Sequence, residues 1–461
     1  MNHIFTSNIC KSLFTAFLFA FLFSSSLKVS EAQTKIIGYY PDWVKGDLPP
    51  SKIEFSNLTD IIHAFAWPNS DGSISMYDGL VYPALNQAVH NANEKILISM
   101  GGAGQSDGFA PMSADSSTRA KFINNVINFL ETNHYDGVDI DWEVPVNNNQ
   151  AQQLTTLVKE MRQKFDEVDS TWLITMAVPA DASEGQFFEF EKMVNYVDWF
   201  GVMAYDFYGS WSSTSGPNAP LYKVRQNTEG SGSSAVQYMN VTRKVPKNKL
   251  VFGIPLYGKE FNTSGWYKPF TGDVTEYTYA DIMSMVESGK WIYNWDNVAE
   301  VPFYVNNDST KLITFDDTAS IRAKVEFSMQ QQLAGVMIWA LGQDLYEDSQ
   351  PLLEDVGKTV KELTYISSAS PNLISNYKLF NNYPNPFNPS TKIRFSVPKE
   401  GVVKLIVYDI LGREVGVLFN KEVMPGTYEI TFNGSNLSSG MYLYSLLAEG
   451  YRVTKKMLLV K

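Results

Sequence analysis

The stretch "DGVDIDWEVP", residues 136–145, places four carboxylates within eight residues of an otherwise apolar segment. Side chains of an extended strand alternate between two faces, so Asp139, Asp141 and Glu143 share one face and the apolar residues share the other. Successive acids on that face lie roughly 6.5–7 Å apart along the strand, which lets neighbouring carboxyl groups touch. Because like charges this close cannot all ionise, at least one of them retains a proton near neutral pH, as a general acid requires.

Two other interpretations of the acidic stretch are weaker. A calcium-binding loop has a turn glycine where Val144 stands, and the residues around the acids are strand formers. A solvated acidic face would not alternate with valine, isoleucine and tryptophan. Burial of several carboxylates is costly, so the pattern favours a catalytic strand over both.

Eight short β-branched segments, with helical patterns between them, organise the chain from residue 35 to residue 340. The predicted strands cover residues 35–40, 60–66, 95–100, 137–142, 173–178, 198–205, 250–256 and 335–340. In the segment 118–131, Phe122, Val126 and Leu130 recur at helical spacing. Alternating strands and helices predict an α/β fold, a (β/α)8 TIM barrel, with Glu143 at the C-terminal end of the fourth strand, where such barrels have their active sites. A doubly wound open sheet stays an alternative on strand counting alone.

An insertion interrupts the repeat between the seventh and eighth strands. Residues 260–317, rich in Tyr, Trp and Asp, are too long for a loop and predict a small α+β insertion. A helix is predicted over 318–331, with Thr318 or Ser320 as its N-cap. The barrel unit is therefore predicted to cover residues 33–366.

The pattern changes after the barrel. A Ser/Pro/Asn-rich linker is predicted at 367–376, and an antiparallel β-sandwich at 377–461. Its predicted strands alternate apolar with polar residues and cover 392–397, 403–408, 427–432 and 441–447.

The first 32 residues are typical of an export signal peptide. Lys11 precedes an apolar run, residues 12–23, that is too short to span a bilayer, and Ala32 ends a small-x-small cleavage site. Cys10 is the only cysteine and lies inside this signal, so the mature chain must be held together by core packing rather than by disulfides. No later segment is long and apolar enough to predict a membrane span.

Negative charge is concentrated in the barrel unit. The whole chain carries −12, residues 377–461 carry +5 and residues 1–32 carry +1, which leaves −18 for residues 33–376. A unit this acidic repels nucleic acid and anionic polysaccharide, which points to a neutral or cationic substrate.

Several motifs resemble glycoside hydrolase family 18, the chitinases and their relatives. The acidic strand matches the family signature D-x-x-D-x-D-x-E. Other matching segments, in order, are "SMGG" (99–102), "MAYDFYG" (203–209), "GPNAPLY" (216–222), "GIPLYG" (253–258) and "GVMIWAL" (335–341). The resemblance covers residues 35–354, and the insertion is similar to the chitinase insertion domain. It implies a retaining chitinase acting on chitin or N-acetylglucosamine oligosaccharides, without metal or cofactor. In that family the sugar's own 2-acetamido group attacks the anomeric carbon, giving an oxazolinium ion that water opens with retention.

The resemblance also implies roles for individual residues. Glu143 would protonate the glycosidic oxygen, and Asp141, with Asp139 as its proton-sharing partner, would hold the acetamido N–H. Tyr205 would bond the acetamido carbonyl, and Trp339 would form the floor beneath the distorted sugar. The remaining substrate-binding residues implied are Tyr39, Trp43, Phe65, Ser99, Gly101, Gly102, Trp142, Met203, Asp206, Tyr257 and Lys259. Taken singly, several of these are more typical of a packed core, and their assignment depends on the joint match.

The chain departs from the family at two positions. Ala103 stands where many chitinases have tryptophan, and Val144 stands where tyrosine often follows the catalytic glutamate. The resemblance places both on the leaving-group side of the cleft. Loss of a stacking platform there predicts weaker binding of a long acceptor, by about 1–3 kcal/mol on the scale of base–aromatic stacking.

Two other functions stay open at this point. A lectin of the same fold would bind N-acetylglucosamine chains without cutting them, but such lectins usually lack the catalytic glutamate, and Glu143 is present. An endo-acting enzyme on N-glycan cores or peptidoglycan would keep the chemistry and change the substrate.

The C-terminal module resembles the type A sorting domain of the type IX secretion system. The matching segments are "NNYPNPFNPST" (381–391), "VYDILGREV" (407–415), "SSGMYLYSL" (438–446) and "KKMLLVK" (455–461). The resemblance implies the secretion machinery as a partner, passage across an outer membrane, removal of the domain, and release or anchoring at the cell surface. A carbohydrate-binding module is the alternative, but such modules usually display aromatic platforms and this one has no tryptophan.

Overall fold

A computed structural model describes residues 33–224, 230–369, 377–399, 401–423 and 426–461. The predicted signal peptide, with Cys10, and residues 370–376 of the predicted linker lie outside the described residues. Residues 367–369 of that linker belong to the helix Pro351–Ala369.

Eight parallel strands form the barrel. They are β1 (Lys35–Pro41), β2 (Asp60–Pro68), β3 (Lys95–Gly101), β4 (Gly137–Asp141), β5 (Leu173–Val178), β6 (Trp199–Val202), β7 (Leu250–Pro255) and β8 (Gly335–Trp339). Each pairs with its sequence neighbours, and β1 pairs with both β2 and β8, which closes the ring. The closed ring confirms the barrel over the open sheet. All eight strands lie where the sequence predicts them, with β6 shorter than expected.

The two faces of the strands have different surroundings. Val138 and Ile140 of β4 point outward into the apolar layer between strands and helices, and both are fully buried. The inward face near the base of the barrel is also apolar, with Ile37, Ile62 and Leu97 in a separate cluster. The acids of β4 therefore lie above a layer of packed apolar side chains and not in a water-filled channel.

Ten α-helices occur among the described residues. They are Pro83–Asn91, Phe109–Ala114, Ser116–Asn133, Asn148–Val168, Ala182–Gly185, Phe190–Met193, Gly232–Gln237, Tyr279–Val286, Thr318–Gln330 and Pro351–Ala369. Helix Ser116–Asn133 buries the predicted Phe122, Val126 and Leu130. Helix Thr318–Gln330 has Asp317 as its N-cap, so the predicted caps Thr318 and Ser320 are wrong. The Asp317 carboxylate accepts from the Ser320 backbone N–H, and the Ser320 hydroxyl bonds back to Asp317.

The insertion is a five-stranded antiparallel sheet with one helix, Tyr279–Val286. Its strands are Tyr257–Asn262, Thr271–Thr278, Trp291–Asp296, Val301–Asn306 and Leu312–Thr314. The first strand starts directly after β7, three residues before the predicted start of the insertion. This early start places Tyr257 and Lys259 at the edge of the barrel opening.

The C-terminal module contains two antiparallel sheets. The three-stranded sheet is formed by Lys378–Leu379, Ser390–Val397 and Gly426–Asn433, and the four-stranded sheet by Gly401–Tyr408, Glu414–Val423, Gly440–Ala448 and Tyr451–Leu459. Phe395, Val407 and Leu446 lie in a core that both sheets share. The four predicted strands are present, and Lys378–Leu379, Glu414–Val423 and Tyr451–Leu459 are additional. In the described part of the chain, no helix combines the length and apolarity that a bilayer crossing needs.

Candidate active site

Asp139 is the deepest acid of the β4 row. It is 1% exposed and accepts hydrogen bonds from three hydroxyl groups on three other strands. Thr175 donates at 2.6 Å to one carboxylate oxygen, and Ser99 and Tyr39 donate at 2.9 and 3.0 Å to the other. Burial raises the pKa of Asp139, and these three bonds partly offset that effect. The donors fix the carboxylate beneath the next acid along the strand.

Asp141 follows on the same face and is 4% exposed. Its Oδ1 atom is buried without a hydrogen-bond partner in the described structure. Burial, the charges of Glu143 and Asp139, and a hydrogen bond to Glu143 raise the pKa of Asp141 well above its ordinary value. The pKa of Glu143 is raised as well, by burial and by the nearby Glu184 carboxylate. The Asp141–Glu143 pair therefore retains a proton at pH values where free carboxylic acids have lost theirs.

Glu143 lies beyond the last residue of β4 and is open to a cleft at the carboxyl ends of the strands. Its backbone N–H donates to the Ser106 hydroxyl at 2.9 Å. The same hydroxyl lies 3.2 Å from the Asp141 carbonyl oxygen, and the Gly102 N–H donates to that carbonyl at 2.8 Å. The loop after β3 thus holds the chain in an extended path past the end of β4, so Glu143 stays on the face of Asp141.

Glu143 lies between two lobes of the cleft. Met203, Tyr205 and Asp206 also line both lobes. The Trp339 lobe, about 240 Å³, is further lined by Tyr39, Trp43, Phe65, Tyr77, Ala103, Gln105, Asp141, Ala177 and Trp339. The Glu184 lobe, about 370 Å³, is further lined by Pro179, Ala180, Asp181, Ser183, Glu184, Phe207, Trp211 and Gly230. Asp141 and Trp339 line only the first lobe, so the two lobes have different chemistry.

Aromatic rings form the floor of the Trp339 lobe. Trp339 lies at the end of β8, with ring centroids 5.5 Å from Tyr39 and 5.6 Å from Phe65. Trp43, which is 58% exposed, meets it edge-on at 6.4 Å. A partly exposed indole braced by three rings provides a flat apolar surface next to the acid pair.

The loop after β6 supplies the next group of polar side chains. Asp206 has a left-handed backbone conformation, φ 59°, and its Oδ1 accepts from the Tyr257 hydroxyl at 2.6 Å and from Lys259 Nζ at 2.5 Å. Lys259 is 1% exposed, lies 4.5 Å from the centroid of the Trp211 ring, and forms a second ion pair with Glu276 at 3.4 Å. Lys259 is therefore fully engaged by protein carboxylates. Burial and the charges of Asp206, Asp141 and Glu143 raise the pKa of Tyr205, which keeps its hydroxyl protonated as a donor.

Three predicted binding residues contact protein groups of the site. Ser99 is fully buried against Asp139. A Cβ atom on Gly101, whose φ is 116°, would lie 2.1 Å from the Asp141 carbonyl oxygen. A Cβ on Gly102 would lie 3.0 Å from the Phe65 ring. Their structural contribution is the position of Asp141 and of the aromatic wall.

Trp142 does not lie in the cleft. It is 3% exposed and stacks on Phe109 of helix Phe109–Ala114, with ring centroids 5.1 Å apart. This is the outward side of the barrel, which strand alternation requires for the residue between Asp141 and Glu143. The structure therefore contradicts its assignment as a substrate-binding residue.

Ala103 and Val144, the two departures from the family pattern, have different surroundings. Ala103 lines the Trp339 lobe, with Tyr77 and Gln105, and not the opposite lobe, while Val144 packs against the outer core. Sequence reasoning missed Glu184, Asp181 and Trp211, which line the other lobe. Glu184 lies in the short helix Ala182–Gly185 after β5, Asp181 is the N-cap of that helix, and Trp211 lies in the loop after β6. Neither a loop nor a four-residue helix shows a periodic pattern, and the only signal was their place just after predicted strands.

A closed barrel with a proton-retaining acid pair at the carboxyl end of β4, beside an aromatic floor, defines an enzyme that cleaves glycosidic bonds. The family model "Glycosyl hydrolases family 18" matches residues 35–344, and the chain belongs to this family. A second model, "Secretion system C-terminal sorting domain", matches residues 381–461. The protein is thus a secreted glycoside hydrolase.

Individual relatives agree with the family model. Chitinase 1 of Aphanocladium album is 28% identical over 339 residues, which cover 65% of this chain and 79% of that protein. Chitotriosidase-1 of Mus musculus is 28% identical over 346 residues, 69% of this chain and 72% of that one. The crystal structure of the Group IV chitinase of Ostrinia furnacalis superposes with a TM-score of 0.67 at 26% identity, over 71% of this chain and all of that one.

Proposed function

We propose that this protein is a retaining chitinase, which hydrolyses β-1,4 linkages between N-acetylglucosamine units with the substrate's acetamido group as nucleophile. The observation that carries the proposal is the buried, unpartnered Oδ1 of Asp141. A buried carboxylate oxygen without a donor is costly, and an acetamido N–H supplies the missing donor. The C2 hydroxyl of a plain hexose could also donate, but it has no carbonyl oxygen to serve as the nucleophile. The names of the relatives, chitinases and a chitotriosidase, support the same substrate.

The reacting sugar would lie on Trp339 with its acetamido group towards Asp141 and Tyr205. The Tyr205 hydroxyl donates a hydrogen bond to the acetamido carbonyl, and Asp141 accepts a hydrogen bond from the acetamido N–H. These two bonds orient the carbonyl oxygen towards the anomeric carbon. The proton held by the acid pair passes through Glu143 to the glycosidic oxygen as the C1–O bond breaks, and the acetamido oxygen forms the new bond to C1.

The second step reverses the proton transfer. Glu143, now ionised, takes a proton from water, whose oxygen attacks C1 and opens the oxazolinium ring from the face that the leaving group vacated. The product therefore retains its anomeric configuration. The negative charge of Asp141 beside the ring offsets the positive charge of the intermediate.

The test uses N-acetylglucosamine tetramer and hexamer, with the anomer of the fresh product read by NMR within seconds of mixing. We expect the β-anomer first, and a loss of about 10²–10⁴-fold in kcat for Glu143→Gln. Glu131→Gln, on the exposed surface of helix Ser116–Asn133, is the matched control. An α-anomer product would refute the retaining mechanism, and a Glu143→Gln variant within threefold of wild type would refute the role of the acid.

High-mannose glycan and bacterial cell wall, assayed beside the chitin oligomers, test the substrate. If product is released from either of these substrates with a higher kcat/KM than from the hexamer, that substrate replaces chitin in the proposal. Binding of the hexamer without turnover by wild type would instead identify a lectin.

We also propose that the sandwich, residues 377–461, is recognised by the type IX secretion machinery and removed on export. Intact mass of the protein from the culture medium tests this. A secreted form that keeps residues 377–461 would contradict removal, and one that in addition binds chitin through this domain would favour a carbohydrate-binding module.

A further inference from the structure

The Glu184 lobe is lined by four carboxyl groups, and in the described structure only Asp206 among them forms an ion pair. Asp181 and Glu184 line it from the N-cap and the body of the short helix Ala182–Gly185, and Asp206 and Glu143 are shared with the other lobe. Two basic side chains lie near these groups among the described residues. Asp206 and Glu276 form ion pairs with Lys259, and Arg243 donates to the backbone carbonyls of Gly185 and Phe188. Asp181 accepts from the Ser183 backbone N–H, and no hydrogen bond or ion pair joins Glu184 to another residue in the described structure.

The position of the lobe identifies which part of a substrate would enter it. Asp141, whose Oδ1 is buried and unpartnered, and Trp339 line only the opposite lobe, and together they mark where the reacting sugar lies. Glu143 lies between the lobes and protonates the glycosidic oxygen that joins the reacting sugar to the leaving group. A chain that spans the cleft therefore has its leaving-group sugar in the Glu184 lobe, where the exposed Trp211 ring provides an apolar surface.

We infer that Glu184, with Asp181, selects a cationic glucosamine unit at the leaving-group position, so the preferred substrate is partially N-deacetylated chitin. The inference rests on the proposed function. A glucosamine unit carries an ammonium group where N-acetylglucosamine carries a neutral amide, and an uncompensated carboxylate attracts the ammonium. The reacting sugar itself must stay acetylated, because its acetamido group is the nucleophile.

The experiment compares two tetramers that differ only in the unit after the scissile bond, N-acetylglucosamine in one and glucosamine in the other, at one mildly acidic pH and low salt. We expect wild type to have a kcat/KM about two- to fivefold higher for the glucosamine tetramer, the range of one or two exposed ion pairs. Glu184→Gln should bring the ratio close to one, and added salt should reduce the wild-type ratio. Glu191→Gln, an exposed glutamate outside the cleft, is the control and should keep the wild-type ratio.

The outcomes separate this inference from the proposed function. Cleavage of the acetylated tetramer with a ratio at or below one would overturn the inference and leave the chitinase intact. A Glu184→Gln variant that loses the same factor on both tetramers would also overturn it, because Glu184 would then act through the pKa of Glu143. Failure of wild type to cleave either tetramer would refute the proposed function.

Discussion

Replacement of Asp141 by asparagine separates the catalytic role of this residue from a structural one. Asparagine has the same shape, and its amide nitrogen can donate to Glu143 where the shared proton now lies. The variant therefore keeps the contacts of the side chain and removes only its charge and its ability to titrate.

The effect on activity follows from the burial of Asp141. At 4% exposure, it lies where an opposite charge about 4–5 Å away interacts through an effective dielectric constant of about 20, which is worth roughly 3–4 kcal/mol. Loss of that interaction with the positively charged intermediate predicts a fall in kcat of about 10²–10³-fold.

The effect on stability has the opposite sign. The pKa of Asp141 is raised in the folded state, so between its ordinary value of 3.8 and the raised value the folded chain binds more protons than the unfolded chain. Wild type therefore loses stability as pH rises through this window. Asparagine does not titrate, so Asp141→Asn should melt at a higher temperature than wild type at pH 7, with a smaller difference at pH 4.

Thermal unfolding at the two pH values and turnover of the tetramer measure both effects on one preparation. A variant that keeps more than a third of the wild-type kcat would refute the proposed charge stabilisation. A variant that loses activity and also melts lower than wild type at pH 7 would show that Asp141 supports the fold instead.

Three other predictions concern the floor, the strand contact and the core. Trp339→Ala should lower kcat/KM for the hexamer by about 5- to 150-fold, if a sugar ring stacks on it as strongly as a nucleic-acid base does, and an unchanged value would exclude the floor. Gly101→Ala should fail to fold or melt far below wild type, because its Cβ would meet the Asp141 carbonyl at 2.1 Å, whereas Gly104→Ala, also at positive φ but with open space, should cost little beyond backbone strain. Burial lowers the pKa of His63 from 6.5 to about 4, so between these values only the unfolded chain binds the proton and stability falls as pH drops, by up to about 3 kcal/mol. Urea unfolding of wild type and His63→Gln at pH 7 and 4.5 measures this, and an equal loss in both proteins would contradict it.

Strand positions were predictable because the barrel repeats one physical pattern. Most of the strands are short apolar runs, buried on both faces and bounded by polar turns, so composition locates them, whereas β4 is recognised by its alternation of apolar residues with acids. The N-cap at Asp317 was missed because Thr318 and Ser320 are equally good caps by residue type. Only the path of the backbone decides which oxygen reaches the free N–H groups. Strand Glu414–Val423 was missed because its burial does not alternate regularly: exposed and half-buried residues follow each other without a period of two.

Strand alternation predicts the positions of some residues of the site and not of others. Alternation assigns Asp141 and Glu143 to the cleft and Trp142 to the outer core, and it does so although β4 ends at Asp141, because Gly102 and Ser106 hold the following backbone extended. A resemblance that transfers all neighbours of the glutamate to the substrate loses this distinction. The Glu184 lobe lies outside the reach of both arguments. Asp181 and Glu184 come from the N-cap and the body of the short helix Ala182–Gly185, which a bond from Ser183 N–H to Asp181 caps. The charge of the lobe also depends on Lys259, which pairs with Asp206 and Glu276 and not with Glu184. Selectivity for the leaving group therefore depends on a charge balance among residues far apart in the chain, which a motif cannot contain.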